Sequence, residues 1–142
     1  LKKIALEPQD SIKDWVLAQM EYPCWIDDWQ YAFGLMEDDE PIGGVIFHDY
    51  RVIPNGYEMQ MTIAGNRPNW LNKRTIKLAM EIVFNHFKCT RLVVACHSKN
   101  LASKQLIEKF GFVQEGCLRE RMGGPGEDVL LYSLLRSECK WL

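Results

Sequence analysis

Asn100–Gly116 reads NLASKQLIEKFGFVQEG, and the order of its parts decides the fold. Asn100 is a good helix N-cap, because its side-chain oxygen accepts from a backbone N–H of the first turn. Leu101–Phe110 carries a helical pattern, and Gly111 supplies the left-handed stop that closes many helices. A strand-like run, Phe112–Arg121, follows through Glu115 and Gly116. Immediately upstream, Arg91–His97 (RLVVACH) is almost continuously apolar, as expected of a strand buried on both faces. A buried strand, a capped helix and a returning strand form the middle of an α/β layer.

Working outward, Lys2–Leu6 is a short strand candidate. Pro8, Asp10 and Ser11 offer helix-start chemistry, and Ile12, Trp15, Val16 and Met20 then recur at helical spacing. Tyr31–Met36 and Ile42–Val52 read as strands joined by the acidic turn Glu37–Pro41. Pro54–Asn55–Gly56 signals a tight turn, so Ile42–Val52 and Tyr57–Ala64 are expected to pair as an antiparallel hairpin. Along the second of these strands Met59, Met61 and Ile63 share one face, and Glu58, Gln60 and Thr62 the other. Lys73–Phe87 carries Ile76, Ala79, Met80, Val83, Phe84 and Phe87 on one helical stripe. Val129–Arg136 is the last strand, reached through the Gly123–Gly126 loop, which reads as either a dimer edge or a free hairpin. The predicted order is β-α-β-β-β-α-β-α-β-β, a single mixed α/β domain over residues 1–142.

Composition narrows the function classes. The chain has 142 residues, 47% of them hydrophobic and 25% charged, as in an ordinary globular domain. Lys plus Arg is 17 against 19 for Asp plus Glu, a net charge of −2. That balance argues against nucleic acid as a partner, which normally shows as a basic excess. No apolar run approaches the roughly 20 residues a membrane span needs, and no signal-peptide pattern opens the chain. The five cysteines are odd in number and lack disulfide or zinc spacings, so reduced thiols, a cytoplasmic location and no metal are expected. The three histidines share no ligand spacing. His97 reads either as a proton carrier or as a structural residue, while His48 and His86 read as surface or turn residues.

Asn100–x–x–Ser103–x–x–Leu106–x–x–Lys109–x–Gly111–Phe112 with Glu115–Gly116, in this topological slot, resembles the GCN5-related N-acetyltransferases (GNATs). Arg119, Asp128, Tyr132 and Arg136–x–Glu138 resemble the branch that includes ribosomal-protein N-terminal acetyltransferases. The resemblance spans the whole chain and is most specific in its last third. It implies acetyl-CoA as donor and an amine (a protein N-terminus, a lysine or a small amine) as acceptor, in a monomer or homodimer. It also implies that Tyr57–Ala64 splays from Arg91–His97, so that pantetheine amides fill the opened edge as an added strand would. The pyrophosphate would then lie on the loop and helix start formed by Arg67, Asn69, Asn72, Lys73, Arg74 and Thr75. Here RPNWLNKRT replaces the family's glycine-bearing loop. Asn69 and Asn72 tolerate left-handed backbone, and Lys73 and Arg74 read either as phosphate contacts or as solvated charges at a helix start. Asn100 reads as cap, as cofactor contact, or as both, and Ser103 faces the pantetheine.

Amine acetylation needs a deprotonated amine, a polarised thioester carbonyl and a proton for the thiolate. Glu58 is the expected base, with Gln60 ordering a water and a backbone N–H near Ile63 polarising the carbonyl. Ile107 occupies the position where many members of the family carry a tyrosine acid, leaving Ser103 to supply or orient the proton. Trp25, Asp27, Asp28 and Trp29 form an aromatic–acidic group that suits a cationic acceptor or is simply a connecting loop. An alternative is a catalytically degenerate protein that binds CoA or a protein partner without transfer.

Overall fold

The computed structural model describes residues 2–22 and 26–142. Its elements follow the predicted order: β1 (Lys2–Ala5), α1 (Gln9–Ala18), β2 (Trp29–Glu37), β3 (Glu40–Ile53), β4 (Gly56–Gly65), α2 (Lys73–Met80), β5 (Arg91–His97), α3 (Leu101–Lys109), β6 (Val113–Leu118) and β7 (Val129–Leu135). Among the described residues the strands form one seven-stranded sheet in the order β1-β2-β3-β4-β5-β7-β6. Every neighbouring pair is antiparallel except β4 and β5, the two strands joined through α2.

Local chemistry explains the joints. The acidic turn between β2 and β3 tightens to Asp38–Asp39, both left-handed at φ 52° and 62°, a conformation that short polar side chains tolerate. Helix α1 begins at Gln9 after Pro8 and has no side-chain cap bond, so Asp10 and Ser11 lie inside it and do not open it. Gln9 instead uses its amide like a strand residue. Its Nε2 donates to Ala32 O at 2.7 Å and its Oε1 accepts from Ala32 N at 2.8 Å, tying the helix to β2. The stripe predicted as one helix over 73–87 is α-helical only to Met80 and continues as a π-helical turn, Glu81–His86. Arg136 satisfies that looser turn, donating to the Phe84 carbonyl and, at 2.9 Å, to Asn85 Oδ1.

The two sheet faces bury different partners. Val16 of α1 packs with Ala32 and Ile46. On the other face Phe33, Val45, Phe47, Met59 and Met61 meet Ile76, Met80, Val83 and Phe84 in the main core. The dipeptide Gly43–Gly44 lets both layers approach closely. A Cβ on Gly44 would fall 2.5 Å from Val16 Cγ2, and one on Gly43 would fall 2.0 Å from the Trp70 ring. Gly65, the register partner of Gly43, has Trp70 Nε1 at 2.2 Å from its ideal Cβ position. Trp70 therefore lies in a notch two glycines wide and pins the β4–α2 loop to the sheet.

Gly43→Ala is expected to destabilise the fold by about 1–3 kcal/mol, the usual cost of overpacking a filled site, read as a lower urea midpoint with tryptophan fluorescence as probe. Gly116→Ala, whose Cβ would meet nothing within 4 Å, should stay within about 0.5 kcal/mol of the parent.

Candidate active site

The parallel pairing of β4 and β5 is short. Glu58 pairs with Arg91, Met59 with Leu92 and Gln60 with Val93, and there the register stops. Beyond it β4 runs on to Gly65 beside β3, and β5 runs on to His97 beside β7. Among the described residues, 61–65 and 94–97 do not pair with each other across the opening. Parting strands present backbone donors and acceptors along their edges, so this cleft suits a ligand that carries amides of its own. Its walls are Met61, Thr62, Ile63, Val94, Ala95, Cys96 and His97, joined by Asn100, the cap of α3, and Ser103 in its first turn. Met20 and Tyr22, beyond α1, cover it. On the α3 side it continues into a second hollow bounded by Ala64, Gly65, Trp70, Ala102 and Leu106. On the opposite side it meets a cavity of about 200 Å³ lined by His48, Arg51, Gln60, Thr62, His97 and Arg121, among others. Ala95 faces this space, which is why it alone of the β5 interior is exposed.

The residues singled out by sequence distribute unevenly around the cleft. Ile63, Asn100 and Ser103 line it, and Gln60 lines the cavity. Asn100 also caps α3, its Oδ1 accepting from Ser103 N at 3.2 Å, and Gly111 ends that helix at φ 94°. Glu58 lies apart from this cavity. Its carboxylate accepts from Arg91 Nε at 2.6 Å, and Arg91 also donates to Glu115, which projects from a bulge in β6. At a strand rise of about 3.3 Å per residue Glu58 sits roughly 13 Å along β4 from Thr62, at the closed end of the strand pair. Burial and the neighbouring side chains place Ile107 in the main core.

Around the β4–α2 loop, Asn69 is left-handed at φ 59°. Asn72 is extended and caps α2, accepting at 2.9 Å from both the N–H and the hydroxyl of Thr75. Thr75 is thereby buried within the turn, while Lys73 and Arg74 stand exposed on it. Arg67 turns back to Glu37, donating at 2.7 Å. Of the aromatic–acidic group, Trp25 lies outside the described residues. Trp29 packs beside α1 under Lys13, whose Nζ is 4.9 Å from the ring centre. Asp28 accepts from Gln30, and its carbonyl accepts from Asp49 N–H at 2.6 Å. Asp27 is exposed, near enough to raise the pKa of His48.

Three features escaped the sequence. His48, expected at the surface, is 3% exposed. Its Nδ1 lies 2.6 Å from Asp49 Oδ2 and its Nε2 2.8 Å from Thr62 Oγ1. A β-bulge makes this possible: two residues of β3, Asp49 and Tyr50, oppose Met59 alone, with Asp49 left-handed at φ 54°. Tyr22 stacks on His97 at 4.5 Å between ring centroids. His97 accepts from Lys99 N–H at Nδ1 and so donates through Nε2 to Glu127. Lys99 and then His97 hold the Glu127 carboxyl below its usual range, and Arg91 does the same for Glu115. Burial pushes His48 down and outweighs the Asp49 carboxylate that would raise it. Among the described residues no group of three or more His, Cys, Asp or Glu side chains is placed to hold a metal, and no helix is long and apolar enough to cross a membrane.

A family model described as an acetyltransferase (GNAT) domain matches residues 5–113. No curated protein matches by sequence. Among solved structures, the chain is similar to a ribosomal-protein-S5-alanine acetyltransferase from Vibrio fischeri, with 18% identity and a TM-score of 0.64 over 79% of this chain and 63% of that one. It is also similar to Mycobacterium smegmatis RimJ in complex with CoA-disulfide, at 16% identity and a TM-score of 0.65 over 78% and 55%. A third likeness is to a mutant of spermidine N-acetyltransferase SpeG from Vibrio cholerae, at 17% identity and a TM-score of 0.76 over 99% and 96%. At these identities the structural likeness shows the fold. The chain spans less than two thirds of the length of the first two proteins.

The lowered pKa of His48 has a thermodynamic consequence. As pH falls through about 6.5, the unfolded histidine takes up a proton that the folded one refuses, so stability drops until the folded pKa is reached and is constant above the window. Urea midpoints are expected to fall between pH 7.5 and 5.5, and His48→Gln should remove that part of the slope, at most about 1.4 kcal/mol per pH unit. The Glu115 and Glu127 contributions are lost separately, below about pH 4.5.

Proposed function

The chain belongs to the acetyltransferase (GNAT) family, and from that premise we propose that it moves an acetyl group from acetyl-CoA to a primary amine by direct attack in a ternary complex. One observation carries the reading: among the described residues, pairing of β4 with β5 ends at Gln60–Val93, and the two strands run on without pairing to each other. Pantetheine amides fit that opening as an inserted strand would. Ile63, Asn100 and Ser103 would hold them, and acetyl-CoA would supply the activated acyl thioester. The hollow beside Trp70 leads toward the start of α2, where the helix dipole and the exposed Lys73 and Arg74 favour the pyrophosphate. Backbone N–H groups on the open edge near Ile63 would polarise the thioester carbonyl. Tyr22 and Ser103, which line the cleft, bring hydroxyls that would serve the leaving thiolate. The amine would enter from the 200 Å³ cavity, past Gln60 and Thr62, with Asp27 contributing negative charge near His48.

A second reading, CoA binding without transfer, is favoured by Ile107, which is buried in the core where the family resemblance expects a tyrosine acid. The two separate experimentally. Acetyl-CoA should raise the melting temperature in a thermal-shift titration, by the equivalent of about 2.7 kcal/mol at 100 times Kd. No stabilisation at millimolar acetyl-CoA would sink both readings. Release of free thiol with spermidine or with a peptide beginning in alanine supports transfer, whereas stabilisation without thiol release leaves only binding.

A further inference from the structure

We propose that the acceptor is an amine carrying an anionic group on an apolar body, and that Arg51 receives that anion in the 200 Å³ cavity beside the cleft. The substrate class named here belongs to the transferase reading above and depends on it.

The lining of the cavity divides by chemistry. Strands β5 to β7 and the loop between β6 and β7 contribute Ala95, Leu118, Met122, Val129 and Leu131, an apolar bed for a hydrocarbon chain. Strands β3 and β4 contribute His48, Arg51 and Gln60, and Arg121 adds a second guanidinium. Among the described residues, none that lines the cavity is Asp or Glu. Guanidinium is the side chain best matched to carboxylate and phosphate, which it grips through paired N–H donors. The same charge repels an acceptor whose far end is a second ammonium. In the transfer itself, the neutral amine nitrogen bonds to the thioester carbon as the C–S bond breaks. The electron pair leaves on sulfur, and the proton shed by the nitrogen goes to the thiolate.

The carboxylates nearby are engaged elsewhere. Glu58 is the register partner of Arg51 on β4, yet its carboxylate accepts from Arg91 Nε at 2.6 Å. Asp49 bonds His48 Nδ1 at 2.6 Å, and Glu127 bonds His97 and, at 2.7 Å, Lys99 Nζ. Arg51 is exposed and makes no ion pair among the described residues. Arg121 keeps another interaction within the protein, so the assignment rests on Arg51. The cavity is dipolar along its length. His48, with Asp27 close enough to act on it, is opposite Gln60, whereas Arg51 is opposite Glu58. At a strand rise of about 3.3 Å per residue the Arg51 position lies roughly 13 Å from that of Thr62, where cavity and cleft join. The arginine stem spans part of that gap. Amine and anion are then separated by several bonds, as in an ω-amino acid or an acidic second residue of a peptide.

Three amines that share one methylene chain and differ at its far end isolate the effect: 6-aminohexanoate, hexylamine and 1,5-diaminopentane, each with acetyl-CoA and read by thiol release. The carboxylate is expected to exceed hexylamine about tenfold in kcat/KM, the scale of one hydrogen bond to a charged group, with the diamine lowest. Alanine-initiated peptides with Asp or Lys as second residue form the other arm. A preference for Asp larger than that among the small amines assigns the anion to a protein N-terminus, and one confined to the small amines assigns it to a free amino acid. Arg51→Gln should shrink the carboxylate-to-hexylamine ratio to about threefold or less, and Arg51→Glu should place the diamine first. A merely structural role would lower both amines together and leave their ratio as it was, and urea midpoints report folding separately. A diamine or spermidine preferred to every anion-bearing acceptor, or a carboxylate preference that survives Arg51→Glu, overturns the inference and leaves the transferase reading intact. A protein that is stabilised by acetyl-CoA yet releases no thiol with any of these amines overturns both.

Discussion

The constraint on which the structure depends is the early end of hydrogen bonding between β4 and β5. Three register pairs hold the two halves of the sheet together, and beyond Gln60 and Val93 β4 stays paired with β3 and β5 with β7. An open edge of this kind is normally a hazard, because it offers a template to any extended chain. Here it lies in the middle of the sheet, where Met20, Tyr22, Asn100 and Ser103 line it. Ionic contacts close the other end of the pair. Arg91 joins Glu58 on β4 to Glu115 on β6 across the sheet, holding the strands together where they must not part.

The second determinant is the glycine notch under Trp70. A loop that lacks the family's glycines loses the backbone freedom they give to wrap a phosphate. In this chain freedom has moved from the loop to the strands beneath it. Gly43 and Gly65 give up their side chains so that an indole can lie on the sheet, and Asn72 with Thr75 fixes the helix start from its own side chains. The loop is positioned from below by packing. Its exposed cations are then free to face solvent or an anion, because the structural work is done by Trp70 and Asn72.

Much of the fold was legible in sequence because its signals are local. Asn100 and Gly111 bracket α3 by capping chemistry alone, and Pro54–Asn55–Gly56 fixed the β3–β4 register. The order of elements followed from periodicity. Of the residues singled out from sequence, Gln60, Ile63, Asn100 and Ser103 line the cleft or the cavity beside it. Glu58 was attractive because it shares a strand face with Gln60 and Thr62, yet alternation along a strand says nothing about where the neighbouring strand departs. That boundary is a property of β5 and β7 together. The π-helical turn was equally invisible, since the stripe Val83–Phe84–Phe87 fits α or π winding and the choice is settled by Arg136, some 50 residues away.

His48 shows the same limit most sharply. The dipeptide His48–Asp49 would alternate across a regular strand, one side chain up and one down, and nothing in the local pattern contradicts a surface position. A single inserted residue changes that outcome. Once Asp49 and Tyr50 together oppose Met59, Tyr50 turns to the core and bonds to the Phe87 carbonyl, while the Asp49 carboxylate is returned to its neighbour's ring. The bulge therefore serves packing on one face and polar chemistry on the other. A histidine bonded to a buried carboxylate on one side and a cleft hydroxyl on the other is costly to maintain in an apolar sheet.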